Sequence, residues 1–247
     1  MNIAVIFAGG IGQRMKTKSL PKQFLSVHGK PIIIHTLEHF EYHDEIDAIV
    51  VSCVADWIDH MSDVLKKYNI QKVKKLVPGG ETGQMSIYNG LCAAREYAEE
   101  SGCAEEANIV LIHDGVRPLI NGQLISDCID SVKKYGSAIT SVVVKETVLM
   151  VKNSETNEID HIPDRSCTRL ARAPQCFFLK DILTADEAAV SKGKIDYIDS
   201  CSLMQETGMK MHLVNGPMEN IKVTTPDDFY SMRALLDARE DTQLYGI

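Results

Sequence analysis

The sequence predicts an α/β protein built on a mostly parallel sheet with helices on both faces. Three observations predict it. Short apolar, β-branched runs alternate with amphipathic stretches of helical length. The strand-like runs are apolar at successive positions, as strands covered on both faces are. The first of them ends in a glycine-rich turn, Ala8-Gly9-Gly10-Ile11-Gly12-Gln13-Arg14-Met15. Strand–helix alternation of this kind folds as consecutive parallel strands with crossover helices.

Along the chain, Ile3–Phe7, Ala48–Cys53, Val73–Val77, Ile109–Ile112 and Ala138–Val144 are predicted as buried strands. Helices are predicted between them. Pro31–Tyr42 is apolar at 32, 33, 34, 37 and 40, and Trp57–Tyr68, Met85–Glu100 and Leu124–Tyr135 follow. The rhythm breaks at Lys145–Asp164, where Thr147–Val151 and Ile159–Ile162 flank a polar tip, Asn153–Glu158. This predicts a β-hairpin without a core of its own, which is marginal in isolation. It packs either on a second subunit or on its own domain. Helices near Asp181–Lys192 and Ser200–Gly208, a strand Met211–Val214 and a helix from Pro226 to about Glu240 complete the chain. No linker is visible, so residues 1–247 are expected to form one domain, with the arm at about 145–170.

Composition excludes several function classes. The formal net charge is −8 over 247 residues, and phosphate backbones and anionic membranes reward a basic face, so neither is an expected partner. Seven cysteines, an odd count with no C-x-x-C pair, indicate reduced thiols in a cytoplasmic protein. The sequence runs straight into the Ile3–Phe7 strand without a basic n-region, and nowhere do 18 apolar residues run together, so neither a signal peptide nor a membrane span is expected.

The chemistry is expected at the glycine turn. Glycines there let backbone N–H groups approach phosphate oxygens. A Walker loop needs a Lys-Ser/Thr pair after the glycines, and none follows. A dinucleotide fingerprint needs a third glycine where Met15 stands. The remaining reading is a nucleoside-triphosphate loop with built-in cations, Arg14 and then Lys22 of Leu20-Pro21-Lys22-Gln23-Phe24. Asp114 ends an apolar strand, where a carboxylate is a helix cap or a ligand. His113 beside it is read as a structural, hydrogen-bonded histidine.

A-G-G-x-G-x-R-M followed by L-P-K-Q-F resembles the start of the cytidylyltransferases that act on methylerythritol phosphate and ribitol phosphate. The likeness continues through Pro78-Gly79-Gly80 with Ser86, His113-Asp114-Gly115-Val116-Arg117-Pro118, Asp164-Arg165, Ala173-Pro174-Gln175 and Asn220-Ile221-Lys222-Val223-Thr224. The resemblance implies a Rossmann-like domain whose protruding β-arm is exchanged across a homodimer. It implies that Ala8, Gly9, Gly10 and Gly12 wrap the CTP triphosphate. Arg14, Lys22 and Lys222 would stabilise charge on the phosphates. Gly80, Glu81, Ser86 and Gly115 would line the cytidine pocket, and Asp114 would hold Mg²⁺ and the ribose region. Arg117, Thr147 and Arg165 would serve the acceptor, although β-propensity alone also explains a threonine at 147.

Such a reaction needs positioning and cations more than a base. The acceptor phosphate is already anionic, and charge accumulates on the α-phosphate and departing pyrophosphate. Three positions depart from the family pattern: Ala173 replaces a threonine, Gly83 replaces an arginine, and Gly115 replaces alanine or serine. Two of these, Ala173 and Gly83, move the expected acceptor from methylerythritol phosphate toward an alditol phosphate, such as ribitol 5-phosphate. The alternatives are methylerythritol phosphate itself, an inactive nucleotide-binding relative, and a glycosyltransferase, which usually carries an Asp-x-Asp motif absent here.

Overall fold

The computed structural model describes residues 1–10, 20–153 and 155–245. In chain order the elements begin with β1 (Asn2–Ala8), β2 (Ser26–Val27), β3 (Lys30–Pro31), α1 (Ile32–Glu41), β4 (Ala48–Cys53) and α2 (Ile58–Lys67). There follow β5 (Val73–Pro78), α3 (Gly83–Glu100), β6 (Ile109–Asp114), α4 (Gly122–Tyr135) and β7 (Ser137–Val143). The chain continues through β8 (Met150–Val151), β9 (Ile159–His161), β10 (Arg169–Phe178), α5 (Leu179–Ser191), α6 (Ser200–Glu206), β11 (Leu213–Asn215) and α7 (Pro226–Tyr245).

Seven strands form the central sheet in the order β11-β7-β10-β6-β1-β4-β5. All run in one direction except β10, which is antiparallel to β6 and β7. Successive strand residues point to opposite faces, so the continuous apolar runs feed two cores. Ala4, Ile6 and Ala8 join α1, α2 and α4 on one side. Ile3 and Val5 join α3, α5 and α6 on the other. A third cluster packs Val116, Leu119 and Val223 against Met232 of α7, fixing the loops above the sheet.

Local chemistry sets the helix starts. Thr82 Oγ1 accepts from Met85 N at 3.1 Å before α3, Asn121 Oδ1 from Leu124 N at 2.9 Å before α4, and Asp199 Oδ1 from Ser202 N at 2.8 Å before α6. Gly136, at φ +81°, closes α4 in the left-handed conformation that a Cβ disfavours.

Two expectations are corrected. The strand expected at Val73–Val77 is found as β5, but it is the sheet edge and only partly buried. The second concerns β10, which the sequence did not announce. Its first half, Arg169-Leu170-Ala171-Arg172, carries two arginines, and Pro174 argues against a central strand. The structure accommodates the proline through a register shift: Ala171 pairs with Ser141 and Gln175 with Ile139, so residues 172–174 stand opposite Thr140 alone.

The hairpin at 145–164 is present as a separate two-stranded sheet, with Met150 opposite His161 and Val151 opposite Ile159. Its apolar side chains Leu149, Met150, Val151, Ile159 and Ile162 are exposed. Among the described residues no helix is long and apolar enough to cross a membrane.

Candidate active site

β1 leads through α1 to β4 on one side, while its other neighbour β6 leads through α4 to β7, so the connections from these two adjacent carboxyl ends carry the chain in opposite directions across the sheet. A crevice opens at such a switch point, outside the strand ends. Phe7 and Asp114 lie opposite each other there, as do Ala8 and Cys53.

The crevice holds two adjoining cavities. The first, of about 410 Å³, is lined by Ala8, Gly9, Gly10, Lys22, Gly80, Glu81, Ser86, Asp114 and Lys222, among others. Close backbone approach shapes it. Gly79 N donates to Cys53 O at 2.6 Å, Gly80 N donates to Ser86 Oγ at 3.1 Å, and Ser86 Oγ donates to Thr82 O at 2.9 Å. A Cβ on Gly9 would lie 2.6 Å from Ser86 Oγ, and one on Gly80 would lie 2.3 Å from Met85 Cβ. Glycine at both positions follows from packing, and the result is a narrow slot walled by backbone.

Lys22 heads a short 3-10 turn, Lys22–Phe24, and its Nζ donates to Val223 O at 3.0 Å. The next side chain in that loop is Lys222. Gln23 Nε2 donates to Ala8 O at 2.9 Å, which ties the turn to the end of β1. Two lysines 200 positions apart thus meet at one cavity wall.

The second cavity, of about 240 Å³, is lined by Asp114, Arg117, Arg172, Ala173, Gln175, Asp199 and Lys222, among others. Phe7, Gly83, Asp114 and Lys222 border both cavities. Asp114 Oδ1 lies 2.5 Å from Lys222 Nζ, and Arg117 Nε donates to Asp114 Oδ2 at 3.1 Å. Arg117 Nη1 donates to Asn220 O at 2.8 Å, and Asn220 Nδ2 to Ala173 O at 2.7 Å. Burial alone would raise the Asp114 carboxyl; Lys222 and Arg117 overcome it and hold the group down at about 2. It is ionised throughout the physiological range. Lys222 is 40% exposed and also stands over the Phe7 ring, so it borders both spaces and is open to solvent.

Burial pushes His113 down to about 3, and its Nε2 faces Arg117 O at 2.9 Å. A neutral ring with its proton on Nε2 pins the loop that carries Arg117, as the structural reading expects.

The structure therefore brings together Ala8, Gly9, Gly10, Lys22, Gly80, Glu81, Ser86, Asp114 and Lys222, with Arg117 in the adjoining space. Gly115 lines neither cavity. It sits beneath them, where a Cβ would come within 2.7 Å of Ile33 Cδ1 and 3.1 Å of Ala8 Cβ. Thr147 and Arg165 are exposed near the hairpin and line neither cavity of their own chain; Arg165 Nη1 donates to Lys145 O at 3.4 Å. Arg14 and Gly12 lie outside the described residues.

Sequence reasoning missed Asp199 and Gln84. Asp199 Oδ2 accepts from Gln175 Nε2 at 2.9 Å, which fixes the far wall of the smaller cavity. An aspartate ahead of an apolar helix carries only the signal of a cap. Gln84, at the start of α3, donates through Nε2 to Asp186 Oδ1 at 3.0 Å and to Lys194 O at 3.2 Å, and accepts from Tyr197 N at 3.1 Å. It joins the slot at Gly80–Thr82 to the loop before Asp199.

Asp186 pays for that connection. Burial pushes its carboxyl up to about 6 against the Gln84 bond. Between about pH 4 and 6 the folded chain keeps a proton that the unfolded chain has lost, so stability falls as pH rises. Above pH 6 the full cost is present, about 3 kcal/mol. Asp186→Asn still accepts from Gln84 and never ionises. It is expected to stabilise the fold by about 1–3 kcal/mol at pH 8 and by nothing measurable near pH 4. Urea unfolding at the two pH values checks this, and an equal change at both would contradict it.

Among the described residues no group of three or more His, Cys, Asp or Glu could hold a metal alone. Asp114 Oδ1 is buried and faces the Lys222 ammonium, which is itself part-exposed and borders both cavities. One such carboxylate suits Mg²⁺, which typically keeps waters and binds through one or two carboxylates plus substrate phosphates. The residues fit a metal that arrives on a triphosphate.

The family model described as IspD, 2-C-methyl-D-erythritol 4-phosphate cytidylyltransferase, matches residues 2–238. The chain is 54% identical to a ribitol-5-phosphate cytidylyltransferase of Streptococcus agalactiae serotype V over 247 residues, all of both chains. It is 36% identical to a 2-C-methyl-D-erythritol 4-phosphate cytidylyltransferase of Clostridium botulinum, covering 96% of this chain and 97% of that one. The solved structure of 4-diphosphocytidyl-2C-methyl-D-erythritol synthase from Anaerococcus prevotii superposes with a TM-score of 0.79 at 27% identity, covering 96% of each chain. With the crevice, the lysine pair and a full-length match in agreement, the chain belongs to the 2-C-methyl-D-erythritol 4-phosphate cytidylyltransferase family and is a nucleotidyltransferase.

Proposed function

We propose that this enzyme transfers CMP from CTP to the phosphate of an alditol phosphate, ribitol 5-phosphate or a related pentitol or hexitol phosphate, and releases pyrophosphate. The observation that carries it is the pair of cavities meeting at Asp114 and Lys222. The larger takes CTP, with the base in the slot between Gly80 and Ser86 and the triphosphate along Ala8–Gly10 and Lys22. The smaller takes the acceptor. An acceptor phosphate oxygen then reaches the α-phosphorus across the shared edge, opposite the departing pyrophosphate.

Lys222 serves the α-phosphate, leaving Asp114 for the equatorial oxygens as charge develops there. Lys22 serves the leaving group, as does Arg14. Asp114 would hold Mg²⁺ brought in with CTP, and the ion supplies charge neutralisation on the phosphates. Arg117 stays bound to Asp114 and Asn220 and orients the carboxylate toward both cavities.

The alditol is favoured over methylerythritol phosphate by the two substitutions on the acceptor side. Ala173 offers no hydroxyl, and Gly83 leaves the junction of the cavities open, because a Cβ there would meet nothing within 4 Å. Identity of 54% over the whole length to a ribitol-phosphate enzyme supports the same choice. The hairpin, with its exposed Leu149, Met150 and Ile159, is read as the arm of a homodimer, carrying Thr147 and Arg165 to the neighbouring subunit's acceptor. The enzyme is placed in the cytoplasm, and its CDP-alditol would feed a cell-wall or capsular polymer.

A panel of polyol phosphates with CTP and Mg²⁺, read by pyrophosphate release, tests this. The highest kcat/KM is expected with a pentitol or hexitol phosphate. Turnover on methylerythritol phosphate with none on any alditol phosphate would overturn the acceptor assignment.

A further inference from the structure

We infer that Arg172 binds the phosphate of the acceptor and is a main determinant of acceptor affinity. The inference rests on the proposed two-cavity reading and names a residue that reading leaves unassigned.

β10 runs against β6, and their pairing ends at Gln175 opposite Ile112. The residues just before Gln175 therefore pass beyond the end of that pairing, on the side where β6 continues to His113 and Asp114. There the shift against β7 frees 172–174 from the ladder, with Pro174 O accepting from Thr140 Oγ1 at 2.7 Å and Ala173 O held by Asn220. Arg172 is thus delivered into the smaller cavity by a backbone anchored at the two residues that follow it.

Among the described residues the guanidinium has no counter-charge. Its Nε is buried without a hydrogen-bond partner, and no carboxylate pairs with it among the described residues. The two carboxylates of the cavity are committed elsewhere: Asp114 to Lys222 and Arg117, Asp199 to the α6 start and Gln175. The neighbouring arginines differ. Arg117 is paired with Asp114, and Arg169 donates to Ser166 O and Thr168 O at 2.9 Å outside the cavity. Burial and then the Arg117 charge both disfavour the Arg172 cation, yet a guanidinium stays protonated in proteins. A buried donor without a partner is costly, and an anion brought in with substrate relieves that cost.

With Arg117, Arg172 and Lys222 against Asp114 and Asp199, the cavity carries an excess of one positive charge. A phosphomonoester matches it, and the planar fork of Arg172 suits two phosphate oxygens. The donor that Ala173 lacks is supplied one residue earlier.

Steady-state kinetics on the intact enzyme test this with Arg172→Ala and Arg172→Lys. Arg172→Ala is expected to raise the acceptor KM about ten- to hundredfold, the range of one charged hydrogen-bonded contact, while the CTP KM stays within about twofold. Arg172→Lys should recover part of the loss, and added guanidinium should recover activity of the alanine variant. An unchanged acceptor KM, or acceptor and CTP KM rising together, would overturn the inference. The wild type separates this from the function reading. If it uses methylerythritol phosphate and no alditol phosphate, the alditol assignment fails and the same variants are judged on that acceptor.

Discussion

Lys222→Met is expected to lower kcat/KM by about 10²–10³, mostly through kcat, with CTP binding little changed. The side chain stands at the edge shared by both cavities, 2.5 Å from Asp114 Oδ1 and open to solvent on its other side. In the free enzyme its charge is balanced by Asp114. As the α-phosphorus is attacked, negative charge accumulates beside it, so its contribution is largest in the transition state. Removal of a single preorganised charge donor of this kind costs about 3–4 kcal/mol in the barrier. Lys222→Arg keeps the charge and should retain part of the activity. Pre-steady-state measurement of CMP transfer distinguishes the step, since a purely structural lysine would weaken CTP binding as much as turnover.

Asp114→Ala is expected to destabilise the fold by about 3–5 kcal/mol and to abolish activity. Asp114 is buried and Arg117 beside it is buried too, so deleting the carboxylate strands a guanidinium in the interior. Burial works against the carboxylate, and Lys222 and Arg117 outweigh it, taking its pKa down to about 2. A depressed carboxyl contributes stability at pH values above its unfolded pKa. That contribution, about 2 kcal/mol, is lost as pH falls from about 4 through 2. Unfolding at pH 7 and at pH 3 should therefore show a smaller wild-type-to-alanine difference at the lower pH. Asp114→Asn keeps the shape, and its activity loss separates the charge from the packing. A difference that does not shrink in acid would mean that the ion pair is not what Asp114 contributes.

Much of this was legible in the sequence because it rests on local chemistry. Continuous apolar runs such as Ala48–Cys53 and Ile109–Ile112 require cover on both faces, and they became β4 and β6. Gly9 and Gly80 were expected near phosphates and base, and they stand where any side chain would collide with Ser86 or Met85. Long-range features were less legible. β10 hides behind two arginines and a proline, because the strand is irregular where it passes the crevice. Gly115 was expected in the pocket on motif alone, whereas its smallness answers to Ile33, a helix residue 82 positions away in sequence. Asp199 and Gln84 acquire their positions only when α5 and α6 fold back against α3.

Phosphorus-31 NMR of CTP, Mg²⁺, ribitol 5-phosphate and the purified enzyme tests CMP transfer most directly. Loss of the three CTP signals and of the phosphomonoester should be matched by inorganic pyrophosphate and two mutually coupled diphosphate resonances in equal amounts. Mass spectrometry should give the mass of CDP-ribitol. CTP consumed without a CDP-linked product, or a phosphomonoester signal that persists with every alditol phosphate, would contradict it.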